Sequence, residues 1–446
     1  MPYTEVGKTE FKLGLIAKHA IEKPNMQFTS LAHLLDEEYL KQSFFSLNRN
    51  KAKGIDNVGW NEYSGNIAEN IRNLVKRLKS KNFKPLPARR VYIPKDDGTM
   101  RPLGISAIEN KIVEKGIKGI LESIYEQDFS GQSFGFRPKL SCHHALKEVH
   151  NQITDKKINH VVEADIKGFF DNVSHEHLIT FLKIRIKDSS MLNLIKKFLK
   201  AGYMDSELLV VSDKGTPQGS ILSPLLANVF LHYVLDEWFE KIVKVESIGY
   251  CEVIRYADDF ICVVQLQETA IAIEHGIKKR FASFGLEIHP EKSKRMSFGR
   301  YERVNAKKHN RRPNTFDFLG ITHYCDISRK GNFKVGRKTS KKKFVKKCKE
   351  LTLWLKKIRN FLKLKEWWQT LNSKLRGHYQ YYGVSENYKG INAFYYHTLK
   401  TLYKWLNRRS QKLSMNWEQF NRYLEKYPLE KPKICHDFYG FKCYGN

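Results

Sequence analysis

The sequence predicts an α+β fold: short strands in hairpins among longer amphipathic helices, with a basic, mainly helical last third. Two hairpins and a change of composition carry this reading. Residues 253–264 hold two β-branched apolar runs around Tyr256-Ala257-Asp258-Asp259, the pattern of strand, tight turn, strand. Residues 89–105 repeat that pattern around Asp97-Gly98, a strong signal for a tight hairpin. Beyond about Gly331 the acids thin out, and aromatic residues step at helical spacing between lysines.

From the N-terminus, residues 1–50 read as helical. Leu31, Leu34, Leu35 and Leu40, then Phe44, Phe45 and Leu47, recur near the helical period. A loop follows at 50–56. Residues 66–80 form a helix with Ile67, Ile71, Leu74 and Leu78 on one face, and Pro85 and Pro87 end it. After the first hairpin, 107–127 reads as a helix. Gly135-Phe136-Arg137-Pro138 breaks the chain before another helix at 142–153. A β-rich run ends at Asp165, and a glycine turn follows it. Helices are expected over 175–202. A strand end at 210–211 and a glycine loop at 212–220 lead into an apolar helix at 221–240. Beyond the second hairpin come a helix at 268–284, a strand then a turn over 286–294, and a short strand at 316–321. Residues 337–349 carry eight Lys/Arg in thirteen positions. Trp354, Ile358, Phe361, Trp367, Trp368, Leu371 and Leu375 then recur at helical spacing.

With 446 residues the chain has room for two or three domains. Its apolar fraction of 41% and mean hydropathy of −0.52 fit a soluble globular protein. No run of 18 apolar residues occurs, and the N-terminus lacks the order of a signal peptide. A cytoplasmic, nucleoid-associated location without membrane contact is the expectation. The seven cysteines form no C-x-x-C, which argues against a zinc or disulfide framework. Of the net charge of +31, +24 lies after residue 300. Such a basic region is the electrostatic footprint of a polyanion, here a nucleic acid rather than a lipid surface.

Asp258 and Asp259 crowd two carboxylates into one turn. Like charges that close are costly without a cation, and hard oxygen donors suit Mg²⁺. From these four residues alone an ordinary acidic turn reads equally well. Asp165 ends a strand with buried character, 93 residues earlier, where an unpaired carboxylate is expensive. Lys95 and Arg101 flank the tip of the first hairpin, so their cationic heads can converge over a triphosphate or simply face water.

Six blocks in order then carry a resemblance. They are the Lys95/Arg101 hairpin, Asp165 with Phe169-Phe170, Thr-Pro-Gln-Gly at 216–219, Tyr-Ala-Asp-Asp at 256–259, Pro-Glu-Lys at 290–292, and Phe-Leu-Gly at 318–320. Together they resemble the blocks of a reverse transcriptase. IPKDDGTMRPLGI, SFGFRPKLSCHHAL, TPQGSILSPLLANVFLHYVLD and RGHYQYYG narrow the resemblance to group II intron-encoded reverse transcriptase/maturases, of bacterial or organellar type and without the endonuclease domain.

The resemblance implies a right-hand polymerase with fingers, an antiparallel-sheet palm and an α-helical thumb. Residues 1–85 would be an N-terminal extension and the start of the fingers, 86–330 the fingers and palm, and 331–446 the thumb, or maturase domain. It implies that Asp165, Asp258, Asp259 and the Ile166 carbonyl hold two Mg²⁺ ions, with Mn²⁺ as substitute. Lys95, Arg101, Phe170 and Gln218 would bind the dNTP, with Phe170 as the steric gate against a 2′-hydroxyl. Arg89 or Arg90 would brace the template, while Lys292, Phe318, Leu319 and Gly320 serve the primer. The implied partners are an RNA template with a DNA or RNA primer, dNTPs, an intron RNA, its target DNA, and a second copy in a homodimer. Two other readings stay open: a reverse transcriptase recruited to defence or repair, and a non-catalytic RNA-binding splicing factor.

Overall fold

The apolar run at 253–264 folds into the middle of the molecule. In the computed structural model, which describes residues 3–94, 98–205, 208–211, 213–361, 363–408 and 415–440, it becomes two strands of a central antiparallel sheet. β6 (Cys251–Tyr256) pairs with β7 (Asp259–Val264), β7 with β3 (His160–Ala164), and β3 with β8 (Lys294–Ser297). Successive strand residues point to opposite faces, and both faces of this sheet are covered. On β7, Phe260, Cys262 and Val264 enter one core, while Ile261 and Val263 enter a second. A strand buried on both sides has to be continuously apolar, which is why this run stands out in the sequence.

The first core is built by the N-terminal half. Its helices are α1 (Tyr3–Glu22), α2 (Glu37–Phe45), α3 (Trp60–Ser64), α4 (Ile67–Lys79) and α5 (Ile108–Tyr125). After α6 (Cys142–Asp155) come α7 (Phe169–Asn172), α8 (His175–Arg185), α9 (Ser189–Leu199), α10 (Ser223–Leu231), the short α11 (Lys244–Glu246) and α12 (Gln267–Ala282). Ile112, Ile117, Ile120, Leu121 and Ile124 of α5 are fully buried, each stabilising the fold by roughly 1.5–3 kcal/mol. The helices expected over 175–202 are α8 and α9, and they meet at Asp188, whose carboxylate accepts from Ser190 and Met191 at the start of α9 and from Leu31 and Ala32. Burial works to raise this acid, and the four backbone donors outweigh it and hold the acid below the usual range. The helix expected over 221–240 departs from α geometry after α10, with π-helical turns at His232–Asp236 and Phe239–Val243.

Beside this core lies a second sheet in the order β2-β1-β4-β5. β1 (Ala88–Pro94) and β2 (Met100–Ile105) form the expected hairpin. β4 (Tyr203–Asp205) joins β1 in parallel and pairs antiparallel with β5 (Leu208–Val210).

The second core packs α6 against the opposite face of the central sheet, together with a third sheet and the C-terminal helices. That sheet has the order β11-β10-β9, from β9 (Thr315–Phe318), β10 (Ile321–Ile327) and β11 (Phe333–Thr339). It follows α13 (Glu302–Lys308). Gly331 stands in the β10–β11 connection, so the helical region begins at α14 (Lys341–Ile358) and continues through α15 (Leu364–Tyr382), α16 (Tyr388–Asn407) and α17 (Trp417–Lys426). The α+β class read from the sequence is borne out, with antiparallel sheets apart from the β1–β4 pair. Among the described residues no helix is long and apolar enough to cross a membrane.

Candidate active site

Tyr256 pairs with Asp259, leaving Ala257 and Asp258 as the two-residue loop between β6 and β7. Ala257 takes φ +57, a left-handed conformation that costs an alanine roughly 1–2 kcal/mol. Its surroundings hold it there. Gly135 lies so close that a Cβ would stand 2.2 Å from the Ala257 nitrogen. Arg255, 1% exposed, donates from Nη1 to the Ala257 carbonyl and to Asn228 Oδ1, both at 3.0 Å. Its Nε and Nη2 donate to the two oxygens of Asp236 at 2.8 and 2.5 Å. Asp236 ends the first π-helical turn. Asn228 Nδ2 in turn donates to the Gly135 carbonyl at 2.7 Å.

Asp165 arrives from the neighbouring strand. Ala164 stands opposite Phe260, and continuing that register sets Asp165 against Asp259 at one end of the sheet. Burial first, and then the Asp165 charge, raise Asp258 against its own backbone N–H, Arg101 and Arg255. Burial, Asp258 and Asp165 push Asp259 up to about 6, against Lys343 and Lys292. Asp259 also touches water, which tempers that effect. Lys292 Nζ lies 3.0 Å from Asp165 Oδ2. Beyond Asp165, Ile166 bridges to Ile288 through bonds made by their neighbours, Lys167 to Glu287 and His289 to Asp165. That pattern turns the Ile166 carbonyl away from Ile288.

This end of the sheet thus gathers three carboxylates, two of them with raised affinity for protons, and the donors are hard oxygens. The donor set fits a divalent cation such as Mg²⁺. Among the described residues no group of three or more His, Cys, Asp and Glu stands in ready ligating geometry, so holding an ion requires the side chains to adjust, Asp165 away from Lys292 included.

A cavity of about 200 Å³ opens where the glycine loop meets β1, β2 and α7, lined by Arg90, Gly104, Phe170, Tyr203, Lys214 and Gln218 among others. The glycine loop that carries Gln218 is tied down on both sides. Thr216 N–H donates to the Phe170 carbonyl at 2.7 Å, and Gly104 N–H donates to the Gln218 carbonyl at 2.6 Å. Gly219 takes φ +111, with the Gly104 carbonyl 2.4 Å from where a Cβ would lie, so only glycine fits. Buried Glu114 accepts from Ile221 N–H at 2.8 Å and from the Ser106 hydroxyl at 3.1 Å, fixing the approach to α10.

The remaining expected residues are dispersed around this pair of features. Arg101 is exposed on β2, and Lys95 lies outside the described residues. Alternation along β1 separates its two arginines: Arg90 lines the cavity, 3.7 Å from the Tyr203 ring centroid, while Arg89 Nη2 donates to the Lys53 carbonyl at 2.9 Å. Leu319 and Gly320 form the β9–β10 turn with φ +51 and +77, and Phe318 is buried beside them. Tyr381 Oη donates to the Leu319 carbonyl at 3.1 Å. Asp317 N–H donates to Glu163 Oε1 at 3.2 Å, tying this loop to the end of β3. Sequence reasoning missed Arg255, Asp236, Asn228 and Glu114. An arginine inside a mostly apolar strand was the available signal, because a charge there needs a partner.

Comparison with known proteins decides the family. The family model described as "Reverse transcriptase (RNA-dependent DNA polymerase)" matches residues 93–323, just over half of the chain. The chain belongs to the reverse transcriptase family. Protein YkfC of Escherichia coli (strain K12) is 33% identical over 285 residues, 56% of this chain and 74% of YkfC. Group II intron-encoded protein LtrA of Lactococcus lactis subsp. cremoris is 41% identical over 219 residues, 49% of this chain and 36% of LtrA. Putative COX1/OXI3 intron 2 protein of Saccharomyces cerevisiae (strain ATCC 204508 / S288c) is 38% identical over 193 residues, 43% of this chain and 22% of that protein. The chain therefore matches well under half of the length of these two intron proteins. The resemblance drawn from the order of motifs is borne out, and the matched residues of this reverse transcriptase include the carboxylates and Gln218.

Proposed function

We propose that the chain extends a primer 3′-hydroxyl with dNTPs along an RNA template, in a right-hand arrangement of fingers, palm and thumb. The observation that carries this is the meeting of Asp165 with Asp258 and Asp259 at one sheet end; Phe170, five residues after Asp165, lines a cavity with Gln218. Asp165, Asp258, Asp259 and the Ile166 carbonyl would hold two divalent ions, which supply charge for the attacking and leaving oxygens of an in-line transfer. The charges of Lys292 and Lys343 pull Asp259 back toward its ionised form. Arg101, and Lys95 by its place in the sequence, would neutralise the triphosphate, whose transfer spreads charge over its oxygens. Phe170 would pack under the sugar and exclude a 2′-hydroxyl. Arg90, which lines the cavity, suits the nucleotide side better than Arg89. The Phe318–Gly320 turn, held by Tyr381, would support the primer.

The basic helices from Lys341 onward would follow the phosphates of an A-form duplex, which is read mainly by shape and backbone. A relative named as group II intron-encoded suggests a group II intron RNA as a second partner, and assisting its splicing is the role proposed for that binding. Primer extension on an RNA template with dNTPs and Mg²⁺ tests the first role. Extension with dNTPs and little with ribonucleotides is the expected result. Tight RNA binding without any synthesis would favour the splicing factor instead.

A further inference from the structure

We propose that a second polyanion site, fitted to the phosphate backbone of folded RNA, lies at the end of the central sheet opposite the carboxylates. The strand register sets the two ends apart. Glu163 pairs with Lys294 at the Asp165 end, and His160 pairs with Ser297 at the other. Five residues of β3 separate the ends by about 17 Å. The chain leaves β8 at that far end, where Phe298 N–H donates to the Asn159 carbonyl at 2.8 Å, and then enters α13.

There Arg303, Lys307, Asn310, Arg311, Arg312 and Pro313 line an open concavity of about 460 Å³. Neither a carboxylate nor an aromatic ring is among these lining residues. Its shape is fixed from beneath. Glu302, 2% exposed, accepts from Arg311 Nη1 and Nη2 at 2.6 and 3.0 Å and from Asn314 N–H at 2.7 Å. Arg303 is held by Asp326 at 3.2 Å. Lys307 and Arg312 face solvent above this braced floor. A rigid cationic hollow with no ring to stack a base recognises backbone charge rather than sequence. Placed at the opposite end of the sheet, it takes a strand other than the one being copied, and the extension assay tests that assignment. The choice of RNA as the polyanion rests on the function proposed above.

The double variant Lys307→Gln/Arg312→Gln leaves both arginine–carboxylate pairs in place. Its binding to an RNA hairpin without a primer terminus is titrated against salt, and its extension of a short RNA–DNA primer–template is measured beside it. The expected result is weaker hairpin binding, with a slope of log affinity against log salt shallower by about 2, and unchanged extension. Unchanged hairpin affinity and slope would overturn the site. So would a parallel loss of extension, which would join the patch to the catalytic groove. The hairpin titration judges the patch whether or not the wild-type chain extends a primer, so this proposal and the polymerase reading fail separately.

Discussion

Arg255 lies in a strand whose other residues are mostly apolar, and its guanidinium serves Asp236, Asn228 and the Ala257 carbonyl together. It is a positioning residue for the turn that carries Asp258. Arg255→Met leaves Asp236 buried without its partner, and breaking a buried pair costs about 3–5 kcal/mol. Chemical denaturation should show that loss. Adding Asp236→Leu should recover part of it, since apolar replacement of both partners is often neutral. Primer extension by the double variant should stay depressed, because Ala257 is then without a donor that held its left-handed conformation. Full recovery of activity would remove the positioning role. Phe170→Ala should raise ribonucleotide incorporation by opening the cavity under the sugar. Single-nucleotide incorporation assays check this, and unchanged sugar selectivity would clear Phe170 of the gate. The acidic doublet was legible because charge interrupts two apolar runs. Arg255 was equally visible as a residue, but its partners come from α10, the π-helical turn and the loop around Gly135, which no local pattern joins.

Among the elements, those with one strong periodic signal were legible. α4, α5 and the strands around 253–264 bury continuous or regularly spaced apolar residues, and they appear where the pattern puts them. β8, of sequence Lys-Arg-Met-Ser, is a polar edge strand with no apolar pattern to mark it, and the strand-then-turn reading stops at its first residue, Lys294. β10 and β11 were missed because basic residues on β11 blend into the lysine-rich start of α14. The boundary read at Gly331 thus falls inside a hairpin. That same lysine-rich helix carries a prediction. Lys341, Lys342 and Lys349 are exposed on α14. Their joint replacement by Gln should weaken RNA–DNA duplex binding and flatten its salt dependence by roughly 0.9 for each phosphate no longer neutralised. KM for primer–template should rise while kcat holds. An unchanged slope would move the duplex to another surface.

Across the whole molecule, two cores share one central sheet, and each end of that sheet meets solvent with opposite chemistry. Acids gather at one end and arginines and lysines at the other, within a chain of net charge +31. Burial holds His150 on α6, His323 on β10 and His378 on α15 in the neutral form. His378 stacks on Phe394 with centroids 3.8 Å apart, and burial, then Lys347, lower it to about 4. An unfolded chain takes up this proton near pH 6.5, so the folded state loses ground as pH falls from there toward 4. The stability difference between wild type and His378→Phe should therefore shift against wild type between pH 7 and pH 5, read from paired thermal melts. A difference that stays constant with pH would deny the buried neutral ring. The carboxylate end bears most directly on function. Asp165→Asn and Asp258→Asn, assayed side by side for RNA binding and for dNTP addition to a primer, should each keep the first and lose the second. Wild-type rates of addition from either variant would contradict a shared catalytic site.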